Sequence, residues 1–161
     1  VSPTRELRPG ELVSEYVFFS DMSMQTSTFL ISTEIAKSVL FDENLSRHQD
    51  STFMMRAQSM GYPISFKRAI TNNYVISESD IKERVISGRI TPEFCSDFLV
   101  SYSNYFSKKA ELGYLFNVYL RIAILSKRKV VKVVFKLIRT GEFYKLMWLT
   151  YFKLKKRIDH L

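Results

Sequence analysis

The sequence predicts a mixed α/β fold: a short αβ segment over residues 1–76, then a mostly helical region over residues 77–161. Three observations predict it. Residues 28–32 (TFLIS) and 62–67 (YPISFK) are short β-branched or alternating runs bounded by turn residues. In the second half Phe94, Phe98, Leu99, Tyr102, Tyr105 and Phe106 recur at helical spacing, and Leu112, Leu115, Phe116, Tyr119, Leu120 and Ala123 continue it. The composition, 46% apolar and 25% charged over 161 residues, excludes a disordered chain.

Residues 1–25 read as irregular, punctuated by Pro3, Pro9 and Gly10, with 11–19 apolar enough for one helix. Residues 28–32 follow as a buried strand, and Thr33 is placed to cap a short helix over 34–39. The segment 40–49 is a polar loop. Asp50 precedes a helical stretch through Met60, with Gly61 where a helix-ending glycine belongs. Pro63 puts the run 62–67 at a strand start or sheet edge, and 74–76 is a further short strand. Ser77-Glu78-Ser79-Asp80 opens a helix that stops at Gly88. Thr91-Pro92-Glu93 is a stronger start: a capping residue, a proline at the first helical position, and an acid in the first turn. Two more helices, 128–139 and 142–157, are hinged at Gly141.

The single cysteine, Cys95, has no intramolecular disulfide partner, which excludes a disulfide-built secreted scaffold and fits a reducing cytoplasm. Cys95 falls on an apolar helix face and reads as core. The charge of +8 is uneven: residues 1–80 hold 7 Lys/Arg against 10 Asp/Glu, and residues 81–161 hold 17 against 6. The two halves are expected to meet different partners. The start carries Arg5, Glu6 and Arg8 and no apolar signal region. The first residue is Val1, as in a chain cut from a longer one or processed. No uninterrupted apolar run nears the roughly 18 residues of a membrane span.

The most informative stretch is 25–66, QTSTFLISTEIAKSVLFDENLSRHQDSTFMMRAQSMGYPISF. A Thr-Ser strand leads to Phe41-Asp42-Glu43-Asn44-Leu45. Arg47-His48-Gln49-Asp50 follows at a helix start, then Arg56 within the helix and Gly61 at its close. This ordered series resembles the acceptor half of family 2 glycosyltransferases of the GT-A fold, in the form found in bacterial enzymes that build surface polysaccharides. The resemblance covers about residues 20–76 and the helical tail only loosely.

The resemblance implies that Asp50 is the catalytic base, taking a proton from the acceptor hydroxyl as it attacks the anomeric carbon with inversion. A helix N-terminus suits a carboxylate charge, while by spacing alone Asp50 reads first as a plain cap. Asp42 and Glu43 position the acceptor, or serve only as turn residues. Arg56 pairs with Asp50 or a donor phosphate, or is merely structural. His48 lies on the solvent side and contacts acceptor or diphosphate, with Gln49 in the same substrate-binding set. Thr26 and Ser27 touch the donor sugar, or only pack at a strand edge.

No Asp-x-Asp occurs in the chain. In that family the motif holds the Mg or Mn ion on the nucleotide-sugar diphosphate. The resemblance therefore implies a divalent metal whose ligands lie mostly outside this chain. It also implies a nucleotide-binding part on the order of 100–150 residues before Val1. The fragment alone is then expected to be inactive.

Residues 127–157 carry eleven Lys/Arg and one acid, Glu142, mixed with Phe143, Tyr144, Trp148, Tyr151 and Phe152. That composition fits a helix lying on an anionic membrane surface, and so a peripheral enzyme at the inner face of the cell membrane. It fits a solvated basic face, or a homodimer interface, as well. No nucleic-acid recognition motif accompanies the charge. The expected partners are a nucleotide-sugar donor and a glycan or lipid-linked acceptor. The alternative is a non-catalytic helical module that binds a membrane or a partner.

Overall fold

The computed structural model describes residues 3–66 and 90–126, together with Val131, Val134, Phe135 and Ile138. The expected elements over 74–88 and the body of the two tail helices lie outside these residues. Val131, Val134, Phe135 and Ile138 are helical.

The described chain is helical, and the α/β expectation fails. No strand occurs among the described residues. Where 28–32 was expected to be a buried strand, Thr26–Thr28 forms a 3₁₀ turn and Ser32 caps the next helix. Only the stretch between them is extended, and Leu30 there is fully exposed. Its aromatic and β-branched residues favour extended dihedrals, but a strand also needs a ladder partner, and capping claims both ends of the run. Residues 62–66 are likewise irregular. Tyr62 is spent on closing the preceding helix, and Pro63 has no N–H to give a ladder. The GT-A architecture implied by the resemblance is therefore not what these residues build.

The first element is a helical turn that widens over Glu15–Phe19, where Ser20 N–H reaches Glu15 O at 2.9 Å. Helix α1 is Thr33–Val39; its cap is Ser32, whose Oγ accepts from Ile35 N–H at 3.3 Å, one residue earlier than expected. Helix α2 is Gln49–Ser59. It ends as the sequence predicts. Gly61 sits at φ +84, its N–H bonds Gln58 O, and Tyr62 N–H bonds Ala57 O. Helix α3, Pro92–Ser101, starts as predicted, with Thr91 Oγ1 accepting from Phe94 N–H at 3.1 Å. The helical spacing runs on through Phe106, but the helix does not. A 3₁₀ turn at Ser103–Tyr105 breaks it, and Ser107 Oγ caps a new helix, α4 (Lys108–Tyr114). The backbone stays helical through a π-helical stretch, Leu115–Leu120, into α5, Arg121–Leu125.

Two apolar clusters hold these pieces. The larger gathers Phe18, Met55, Phe98, Leu112, Tyr114 and Leu115, with Cys95 fully buried among them. The smaller joins Val39 of α1 to Phe53 and Ala57 of α2. The N-terminal turn lies against α4 so closely that a Cβ on Gly113 would stand 2.5 Å from Phe18 O and 2.6 Å from Phe19 N. Polar groups fasten the same contact: Ser107 Oγ donates to Glu15 Oε1 at 2.6 Å, and Asn117 Nδ2 donates to Phe18 O at 2.7 Å. Gln58 of α2 accepts from Val13 N–H at 2.8 Å and donates to Glu11 O at 2.9 Å, tying α2 to the N-terminal segment.

Candidate functional site

The residues singled out by sequence fall in the loop after α1, the first and last turns of α2, and the 3₁₀ turn before α1. Asp50 is the second residue of α2, not its cap; the cap position is His48, in the left-handed region at φ 71. Asp50 Oδ1 accepts a hydrogen bond from the Thr26 hydroxyl, so the structure joins two predicted site residues 24 positions apart. Ser27 is exposed on the same 3₁₀ turn, and Glu43 is exposed in the loop.

Asp42 is held from two sides. The Tyr102 hydroxyl donates to Oδ2, and Asn44 N–H donates to Oδ1 at 2.9 Å. Tyr102's hydrogen bond, then Asn44's, hold the Asp42 carboxyl below its ordinary range, with Arg56 adding favourable charge. Burial first, and Asp42 second, push the Tyr102 phenol up to about 12. Tyr102 comes from the end of α3, 60 residues away, and the sequence marked it only as part of a helical face.

Arg56 does not pair with Asp50. It donates from Nη1 to Leu40 O at 3.2 Å. Six helical positions separate the two residues, about 240° around the axis, which places their side chains on different faces. Gln49 Nε2 donates back to Leu45 O and closes the loop onto its own helix.

His48 is not on the solvent side. Its ring lies 4.8 Å from Phe98, 5.4 Å from Phe18 and 5.4 Å from Tyr114, centroid to centroid. Nε2 stands 3.3 Å from the Tyr114 hydroxyl. Burial, and then the nearby Arg47 charge, depress its pKa to about 3, so the imidazole is neutral at physiological pH. It anchors the start of α2 in the aromatic core. Cys95 is core, as predicted, and burial pushes its thiol up to about 11.

Among the described residues no three His, Cys, Asp or Glu side chains converge as a metal site requires. No helix among them is long and apolar enough to cross a membrane. The arrangement therefore offers a part-exposed carboxylate at a helix start, a second carboxylate fixed by a tyrosine, and an arginine beside the latter.

No protein-family profile matches the chain, and no solved structure matches it. Over 78 residues it is 30% identical to the amylovoran biosynthesis glycosyltransferase AmsB of Erwinia amylovora. The alignment covers 48% of this chain and 26% of that protein, so the chain spans about a quarter of the length of the relative it matches.

Proposed function

We propose that this chain is the acceptor-handling part of a family 2 glycosyltransferase that extends a bacterial surface polysaccharide. The observation that carries the proposal is the 30% identity with a polysaccharide glycosyltransferase. The ordered series Thr26, Asp42-Glu43, His48-Gln49-Asp50 and Arg56 supports it. In the proposed reaction an acceptor hydroxyl oxygen attacks the anomeric carbon of a nucleotide-diphosphate sugar. The new C–O bond forms as the bond to the diphosphate breaks. The nucleoside diphosphate leaves with the electron pair, and Asp50 takes the hydroxyl proton. The single displacement inverts the anomeric centre. Thr26 occupies one oxygen of Asp50 and leaves the other for the acceptor. Asp42 and Arg56 orient the acceptor. A divalent ion on the diphosphate would neutralise the leaving group and would need ligands other than the described residues.

Val131, Phe135 and Ile138 are exposed at positions that share one helical face. With the basic charge of residues 127–157 they support attachment to an anionic membrane surface, where a lipid-linked acceptor would lie.

The test is Asp50→Asn in the intact enzyme, with the nucleotide-binding part that the resemblance implies present, and nucleoside diphosphate release measured from a panel of UDP- and GDP-sugars in membranes carrying lipid-linked glycans. The expected loss is about a hundredfold or more. Transfer at near wild-type rate would remove Asp50 as the base. A second reading, a non-catalytic helical binding module, is favoured by one observation: the described residues leave no sheet edge open for a larger catalytic sheet. It predicts no diphosphate release from wild type or variant.

A further inference from the structure

Phe41 has no part in the reaction above, yet its setting is unlike that of the core aromatics. Its ring stacks on the buried Phe53, centroids 4.5 Å apart and planes 25° apart, and still remains 42% exposed. The stack fixes the ring while part of it faces water. Asp42 follows directly, its carboxylate oriented by Tyr102 and Asn44. Arg56 lies three residues beyond Phe53 on α2, on the same side of that helix. It donates to the carbonyl of Leu40, the residue before Phe41, and its charge acts on Asp42. A part-exposed aromatic ring is thus followed in the chain by a held carboxylate, and the guanidinium that acts on that carboxylate is bonded to the residue before the ring.

These groups match the chemistry of a sugar ring. The axial C–H bonds of a pyranose carry slight positive charge and rest on the negative face of an aromatic ring. Its hydroxyls donate to a carboxylate and accept from a guanidinium. With one carboxylate and one guanidinium the patch has no net charge, which suits a neutral saccharide. We propose that Phe41 is a stacking platform for a pyranose ring of the acceptor, with Asp42 and Arg56 binding its hydroxyls. The inference rests on the glycosyltransferase reading, and it names where that enzyme would seat its acceptor.

The test is titration of the full-length chain with methyl β-D-glucopyranoside and methyl β-D-galactopyranoside, followed through the resonances of the Phe53 ring and the Asn44 amide, which border the patch and are present in every variant. Binding of at least one glycoside is expected in the millimolar range, about 1–10 mM. Phe41→Leu should weaken it about fivefold to tenfold, the worth of an aromatic contact. Phe41→Trp should keep or tighten it and controls for folding. Equal binding by wild type and Phe41→Leu overturns the platform, as does no shift in wild type with either glycoside. Phe41-dependent binding together with unimpaired transfer by Asp50→Asn would support the platform and reject the base. Loss of transfer in Asp50→Asn with Phe41-independent binding would reject the platform alone.

Discussion

A histidine kept neutral by its surroundings charges when the chain opens, and His48 is such a residue. Its folded pKa is near 3 and its ordinary value 6.5. Between those values the unfolded chain binds the extra proton, so stability falls as pH drops through that window. The slope is up to about 1.4 kcal/mol per pH unit, and above the ordinary value His48 contributes a plateau. Asp42 acts in the same direction but later. Its carboxyl is lowered, so its contribution is present above the usual carboxylate range and lost only as pH falls through the folded value. Guanidinium denaturation between about pH 7.5 and about pH 5 therefore isolates His48 from Asp42. The expected result is a progressive loss that starts near the ordinary histidine value and disappears in His48→Asn, asparagine being tolerant of the left-handed φ. A flat wild-type profile over that range would contradict the burial argument.

At the level of elements, the joint between the N-terminal turn and α4 depends on having no side chain at Gly113. A methyl there would meet backbone atoms, Phe18 O and Phe19 N, which cannot swing aside as a flexible side chain could. Gly113→Ala should cost about 2–3 kcal/mol, despite alanine's better helix propensity, because the two segments must move apart. Equilibrium unfolding measures it, and a stabilised variant would show that the joint is loose. Helix ends of this kind were legible in the sequence where the chemistry is local. Thr91-Pro92-Glu93 began α3 and Gly61 ended α2 as predicted, because each signal lies within four residues of the bond it makes. The break after α3 was hidden, since its apolar residues keep helical spacing while Ser107 restarts the helix. The run at 28–32 misled because strand preference says nothing about whether a partner strand exists. The site was legible as a set of residues and not as an arrangement. Asp42 meets Tyr102 across 60 positions, and the ring of His48 is enclosed by Phe98, 50 positions on, so neither contact leaves a trace in local spacing.

Taken whole, the described molecule hangs its candidate site on the seam between two apolar clusters. Met54 packs against both, and the next residue, Met55, is buried in the larger. The Asp42 loop is tied to the larger by Tyr102 and His48, while Phe41 rests on the smaller through Phe53. Cys95 sits in the larger cluster with no exposed surface, its thiol proton held by burial. A sulfur that is neither ionised nor accessible does not react with an alkylating reagent. In native buffer, iodoacetamide labelling should run at least about a hundredfold slower than in concentrated guanidinium, limited by how often the core opens. Rapid labelling of the folded chain would refute the packing around it. Because the sequence has one cysteine, each alkylated molecule is one whose interior has been breached. The chain thereby carries its own tamper seal, and a saccharide that steadies the surface loop would be seen as a slower breaking of that seal.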